Sequence, residues 1–140
     1  MPEPQARFVD HVDLRLVAPG AEGLALTATL KYVVSDPYAV EATFRAGDQG
    51  ISWVLGRDLL SDGLLSECGE GDVRVWPTVE DGREVVMLQL TSPDGSALLA
   101  ADAEGLQAFL ERTYDAVPLG YEDDHVDVDA AITQLLGPAE

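Results

Sequence analysis

The pattern that most constrains this chain is a period of two, repeated between short turns. From Leu24 to Val34 the even positions Leu24, Leu26, Ala28, Leu30, Tyr32 and Val34 line one side, and Thr27, Thr29 and Lys31 line the other. Alternation of this kind describes a strand with one buried face. The stretch 9–17 has it too, with Val12, Leu14 and Leu16 set against Asp13 and Arg15. Ser35-Asp36-Pro37 then turns the chain, since Pro suits the second position of a tight turn and Asp can bond the backbone two residues on. A third strand follows over 38–45, with Tyr38, Val40, Ala42 and Phe44 on one face. This places Tyr38 with the core-facing residues, although its position at the turn leaves the edge of a binding surface as the other reading.

The remaining elements are read in the same way. Ala46-Gly47-Asp48-Gln49-Gly50 closes a hairpin onto a fourth strand, 51–55. The period changes at Arg57, where Leu59, Leu60 and Leu64 fit one face of a short helix that Gly63 ends or weakens. A loop around Cys68 leads to a strand over 72–76, which Pro77 directs to an edge or a strand end. Asp81-Gly82 is the clearest hairpin signal, and 85–90 is apolar on nearly both faces, hence central. After the Ser92–Gly95 turn comes a short strand at 96–99. Asp102 caps a helix over about 103–115, with Leu106, Phe109, Leu110 and Thr113 on one face. Val117–Gly120 breaks it, an acidic loop follows, and Asp127 or Asp129 caps a last short helix ending near Leu136.

Strands joined by short turns pair antiparallel, and the helices must cover them. The expected fold is therefore α+β, with about seven strands in antiparallel β-sheets and packed helices. Residues 1–8 read as a disordered lead and 9–140 as a single domain. No apolar run approaches the roughly 18 residues of a spanning helix, and the start lacks a signal-peptide layout. A cytoplasmic protein without direct membrane insertion is expected.

Charge narrows the function. Eight Lys and Arg stand against 26 Asp and Glu, for a net charge of −18. The basic residues are scattered singly as Arg7, Arg15, Lys31, Arg45, Arg57, Arg74, Arg83 and Arg112. Nucleic-acid binding draws on clustered cations, so this chain repels DNA at long range. The lone cysteine, Cys68, lies among acids that disfavour a thiolate. No nucleophile elbow, phosphate loop, dinucleotide fingerprint or paired-histidine zinc motif occurs. No catalytic residue, cofactor or metal site is assigned. The Glu122–Asp127 run could hold a cation, preferably calcium, but reads more simply as a solvated acidic loop. Asp58 and Asp62 read as a solvated helix face. Trp53 and Trp76 serve as core filling or as partner-facing anchors, and Arg57 and Arg74 pair with some of the many acids. The partner-binding candidates are Tyr38, Arg57, Asp58, Arg74 and Trp76.

Several blocks together resemble the SsgA-like sporulation and cell division family, with its SsgB branch nearest. They are Asp36-Pro37-Tyr38-Ala39-Val40-x-Ala42-Thr43-Phe44, Arg57-Asp58-Leu59-Leu60-x-x-Gly63-Leu64 and Gly71-Asp72-Val73-Arg74-Val75-Trp76-Pro77. Ser92-Pro93-x-Gly95-x-Ala97-Leu98-Leu99 and Phe109-Leu110-x-Arg112-Thr113 extend the likeness over about residues 12 to 136. The resemblance implies a non-enzymatic regulator of sporulation-specific division in actinomycetes. Such a protein helps position the tubulin-like FtsZ ring and the septum through protein contacts, together with an SsgA-type partner. It also implies recruitment to the septum, a homotrimer, and a fold similar to the "whirly" single-stranded nucleic-acid binders, with two antiparallel β-sheets and packed helices. A nucleic-acid-binding module is the alternative that this fold raises, and the charge of −18 weighs against it.

Overall fold

A computed structural model describes residues 7–17, 24–93 and 95–126 of the chain. Its elements are β1 (Arg7–Leu16), β2 (Leu24–Val33), β3 (Ala39–Ala46), β4 (Gln49–Gly56), α1 (Arg57–Gly63), β5 (Cys68–Glu70), β6 (Val73–Glu80), β7 (Arg83–Ser92), β8 (Gly95–Asp102) and α2 (Ala103–Ala116). A 3-10 turn, Glu122–Asp124, follows. The last helix expected near Leu136 lies outside the described residues.

The strands form one sheet rather than two, eight strands in the order β4-β3-β2-β1-β8-β7-β6-β5. Two runs of hairpins, β1 to β4 and β5 to β8, join where β1 meets β8. There Leu14 stands opposite Leu26 on one side and Ala101 on the other. The eighth strand comes from the Cys68 loop, where Cys68 to Glu70 pair with Val75 to Val73. β1 also begins earlier than expected. Phe8, read as part of the lead, is buried and stacks on Tyr32 with ring centroids 6.2 Å apart.

Alternation decides which face goes inside. Val12 and Leu14, Ala28 and Leu30, Val40 and Ala42, Val75, Val86 and Leu88 all point into one core. Leu55 of β4 and Val75 of β6 lie toward opposite flanks yet share that core, so the sheet curls around it. α1 adds Leu60, and α2 adds Leu106, Phe109 and Leu110, at i, i+3 and i+4. β7 is central as expected, paired with β6 and β8. The helices cover only part of the concave face. At the start of β2, Leu26 is half-buried and Leu24 exposed.

Candidate functional site

Tyr38, Arg57 and Asp58 meet at the end of the sheet where α1 begins. The turn ahead of β3 is held from several directions. Asp36 N–H donates to Val33 O at 2.9 Å, and Ala39 N–H donates to Asp36 O at 3.4 Å. Pro37 is fully buried, and its carbonyl accepts the Tyr32 hydroxyl at 2.9 Å. The Tyr38 carbonyl accepts the Arg57 backbone N–H at 2.8 Å, which ties the turn to α1. Pinned in this way, the turn directs the Tyr38 ring outward, leaving the residue 47% exposed. The expectation of a core position is corrected. Tyr38 precedes β3, so the strand's alternation does not govern it.

Arg57 is corrected in the opposite sense. It is 1% exposed and unavailable for surface contact. Its Nη1 donates to the carbonyls of Thr113 at 3.1 Å and Val117 at 2.8 Å, at the end of α2. Its Nη2 donates to Glu122 Oε2 at 2.8 Å. The guanidinium lies 4.0 Å from the Tyr114 ring centroid and 5.4 Å from that of Tyr32. A planar cation with five donors can bond two carbonyls and a carboxylate while stacking on a ring, whereas an ammonium cannot. The clamp satisfies two carbonyls at the end of α2 and fastens the following chain to α1.

The acidic loop is correspondingly not a fully solvated one. Glu122 is buried, and its Oε1 accepts the Gly120 N–H at 2.9 Å. Its own backbone amide, then the Arg57 and Gly120 donors, hold its carboxyl below the usual carboxylate range. Asp123 Oδ1 accepts the Tyr38 hydroxyl in a short hydrogen bond. That bond to an acceptor-only carboxylate is the main cause that pushes the Tyr38 phenol up to about 12. A second Tyr–Asp pair lies alongside: Tyr114 donates to Asp58 Oδ1 at 2.8 Å, and burial followed by this bond raises its phenol to about 12. Glu122 and Asp123 are thus already engaged with protein donors. Among the described residues no cluster of three or more His, Cys, Asp or Glu side chains is set to hold a metal.

Arg74 and Trp76 belong to a different surface. On β6 they alternate with buried Val73 and Val75, so both point to the convex face. Arg74 is exposed and pairs with Glu67, and half-buried Trp76 stands opposite Met87. The cluster also contains Tyr114, which reading the sequence did not single out, and Glu122 and Asp123, which it weighed only as part of an acidic loop. Glu122 lies 65 positions from Arg57 and Asp123 lies 85 from Tyr38, beyond the reach of any local pattern.

On this geometry the cluster is a structural clamp with an outward rim of Tyr38, Asp58 and Asp123. Among the described residues no helix is long and apolar enough to cross a membrane. The family model described as "Streptomyces sporulation and cell division protein, SsgA" matches residues 26–122. The sporulation-specific cell division protein SsgB of Streptomyces coelicolor is 48% identical over 90% of this chain and 93% of its own length. The SsgB of Frankia casuarinae is 46% identical over 88% of this chain and 87% of its own. The crystal structure of an SsgA-like sporulation-specific cell division protein from Thermobifida fusca superposes with a TM-score of 0.85. It is 40% identical, covering 96% of this chain and 99% of that one. With its sequence blocks, its curled sheet and its relatives in agreement, the chain belongs to the SsgA family of sporulation and cell division proteins, alongside the SsgB-named members.

Proposed function

We propose that this protein is a non-enzymatic regulator of sporulation-specific cell division that helps position the FtsZ ring and the septum through protein–protein contacts. The observation that carries this reading is the 46–48% identity, over about nine-tenths of the chain, to proteins named sporulation-specific cell division protein SsgB. The candidate cluster supports it, because its ionisable groups are spent on one another and on backbone carbonyls. The protein works in the cytoplasm, is recruited to the septum, and acts with an SsgA-type partner. It assembles as a homotrimer on a whirly-like plan.

Contact with the division machinery runs through exposed side chains. Tyr38, Asp58 and Arg74, with half-buried Trp76, remain the candidates. Arg74→Glu is expected to leave thermal unfolding unchanged while weakening recruitment to division sites, followed with a fluorescent fusion. Unfolding of the variant or undiminished recruitment would remove Arg74 from the surface. The decisive test is depletion in the source organism with imaging of division rings. Misplaced or missing rings are expected, and normal rings with normal sporulation would refute the proposal. Light scattering checks the trimer, against which a monomer at micromolar concentration would count.

A further inference from the structure

The sheet does not close, and its β4 edge is long and undefended. Among the described residues β4 pairs only with β3. The two-residue turn Gly47-Asp48 makes Ala46 and Gln49 a hydrogen-bonded pair. Alternation from there turns the amides of Gly50, Ser52 and Val54 away from β3. The 2.8 Å contact between the Thr43 and Ser52 hydroxyls fits, because facing side chains come closest at such non-bonded pairs. Edge strands are normally guarded by charge, proline, bulges or brevity. β4 runs eight residues, QGISWVLG, without a charge or a proline. The opposite edge, β5, is three residues long.

Beside β4 lies an apolar trough of about 620 Å³, at the end of the concave face that the helices leave bare. It is lined by Ile51 and Trp53 of β4, Phe44 of β3, Leu26 of β2, Leu90 of β7 and Ala97 of β8. Among the described residues Arg45 is the only charged one of its lining, in a chain of net charge −18. Among the described residues Arg45 has no salt bridge. Its Nη1 would lie 3.5 Å from a Cβ on Gly50, so the guanidinium lies over Gly50 at the start of the edge.

We propose that the β4 edge and its trough form a strand-addition site for the C-terminal segment of a partner protein. The segment adds antiparallel to β4. Its backbone bonds Gly50, Ser52 and Val54, alternate apolar side chains enter the trough, and its terminal carboxylate meets Arg45. Antiparallel addition brings the incoming C-terminus to the beginning of β4, where Arg45 stands. A second copy of this chain is a poorer occupant. Pairing of β4 with β4 is two-fold and cannot build a trimer, and the other edge is too short to fill the trough. The exclusion of a second copy rests on the trimer of the proposed function, whereas the open edge and its trough do not.

The test uses the full chain and an acetylated Thr-Val-Thr-Val-Thr-Val peptide, with either a free carboxylate or a carboxamide end. Calorimetry is expected to show saturable binding of the acid. Carboxamide or Arg45→Gln should weaken it about tenfold or more, the scale of losing a charge-assisted hydrogen bond. Amide exchange should slow at Gly50, Ser52 and Val54 but not at Ile51 and Trp53, which already bond β3. Ser52→Pro should abolish binding with at most a small shift in thermal unfolding, because it removes an outward N–H and the exposed hydroxyl contact with Thr43 but no backbone bond to β3. Absence of binding, or binding without the alternating footprint, would overturn the proposal. So would a footprint present without peptide and lost on dilution, which would give the edge to a second copy.

Discussion

Arg57 and Glu122 form the most buried charged contact described in the chain, and removing one partner differs sharply from neutralising the other. Arg57→Met leaves Glu122 enclosed without its cation and the Val117 carbonyl without its donor, while the Thr113 carbonyl keeps only the Val117 N–H. Breaking a buried pair from one side costs about 3–5 kcal/mol, so urea unfolding should show a loss of that order. Glu122→Gln keeps the shape and should cost less. It should also change the response to acid. The carboxyl of Glu122 titrates below its ordinary value of 4.5 in the folded state. The stability it gives is therefore present above 4.5 and lost as pH falls through the lower folded value. Between pH 5 and 3 the Gln variant should lose stability less steeply than the parent. Equal slopes would mean that Glu122 does not carry the acid sensitivity. Little of this pair is legible in sequence. A basic residue at the start of a helix reads as exposed, and its partners lie 56 to 65 residues further on. The neighbouring Asp36-Pro37 turn was legible because its chemistry is local.

The helices were legible at the level of the element, and the connection of strands was not. α2 announced itself by its apolar spacing and by Asp102, whose carboxylate accepts the Gly105 N–H at 3.2 Å. The eight strands were nearly all apparent from alternation, but the single sheet depends on β1 pairing with β8, over 80 residues away, which no turn signal encodes. The seat of α1 on β6 is similar. By sequence Gly63 ends or weakens the helix. The structure adds a packing reason, since a Cβ there would stand 2.2 Å from Val75 Cγ1 and 2.6 Å from Val75 Cβ. Val75 is fully buried and cannot swing aside. Gly63→Ala, which by helix propensity alone should stabilise, is therefore expected to destabilise by about 1–3 kcal/mol, the usual cost of overpacking. Denaturant melts decide the sign. An increase in stability would show that α1 lifts from β6 at little cost.

At the scale of the molecule, charge is the feature that the sequence states most directly and that folding does not remove. Among the described residues, six of the eight basic side chains pair with carboxylates, and all but the Arg57 pair lie at partly exposed positions where pairing adds little stability. The excess of acids therefore stays on the surface, and folding brings like charges closer than they are in the extended chain. Salt should relieve that repulsion. The screening length falls from about 30 Å at 0.01 M to about 10 Å at 0.1 M, so the melting temperature should rise across that interval and then level off. The same field bears on the nucleic-acid alternative. A single-strand binder needs a positive groove and gains affinity as salt is lowered, whereas a chain of −18 is repelled most strongly under those conditions. A gel shift with single-stranded DNA at low salt should therefore show no complex. Tight binding weakened by salt would mean that the scattered arginines gather on one face in the assembled protein, and would restore the reading that the charge argues against.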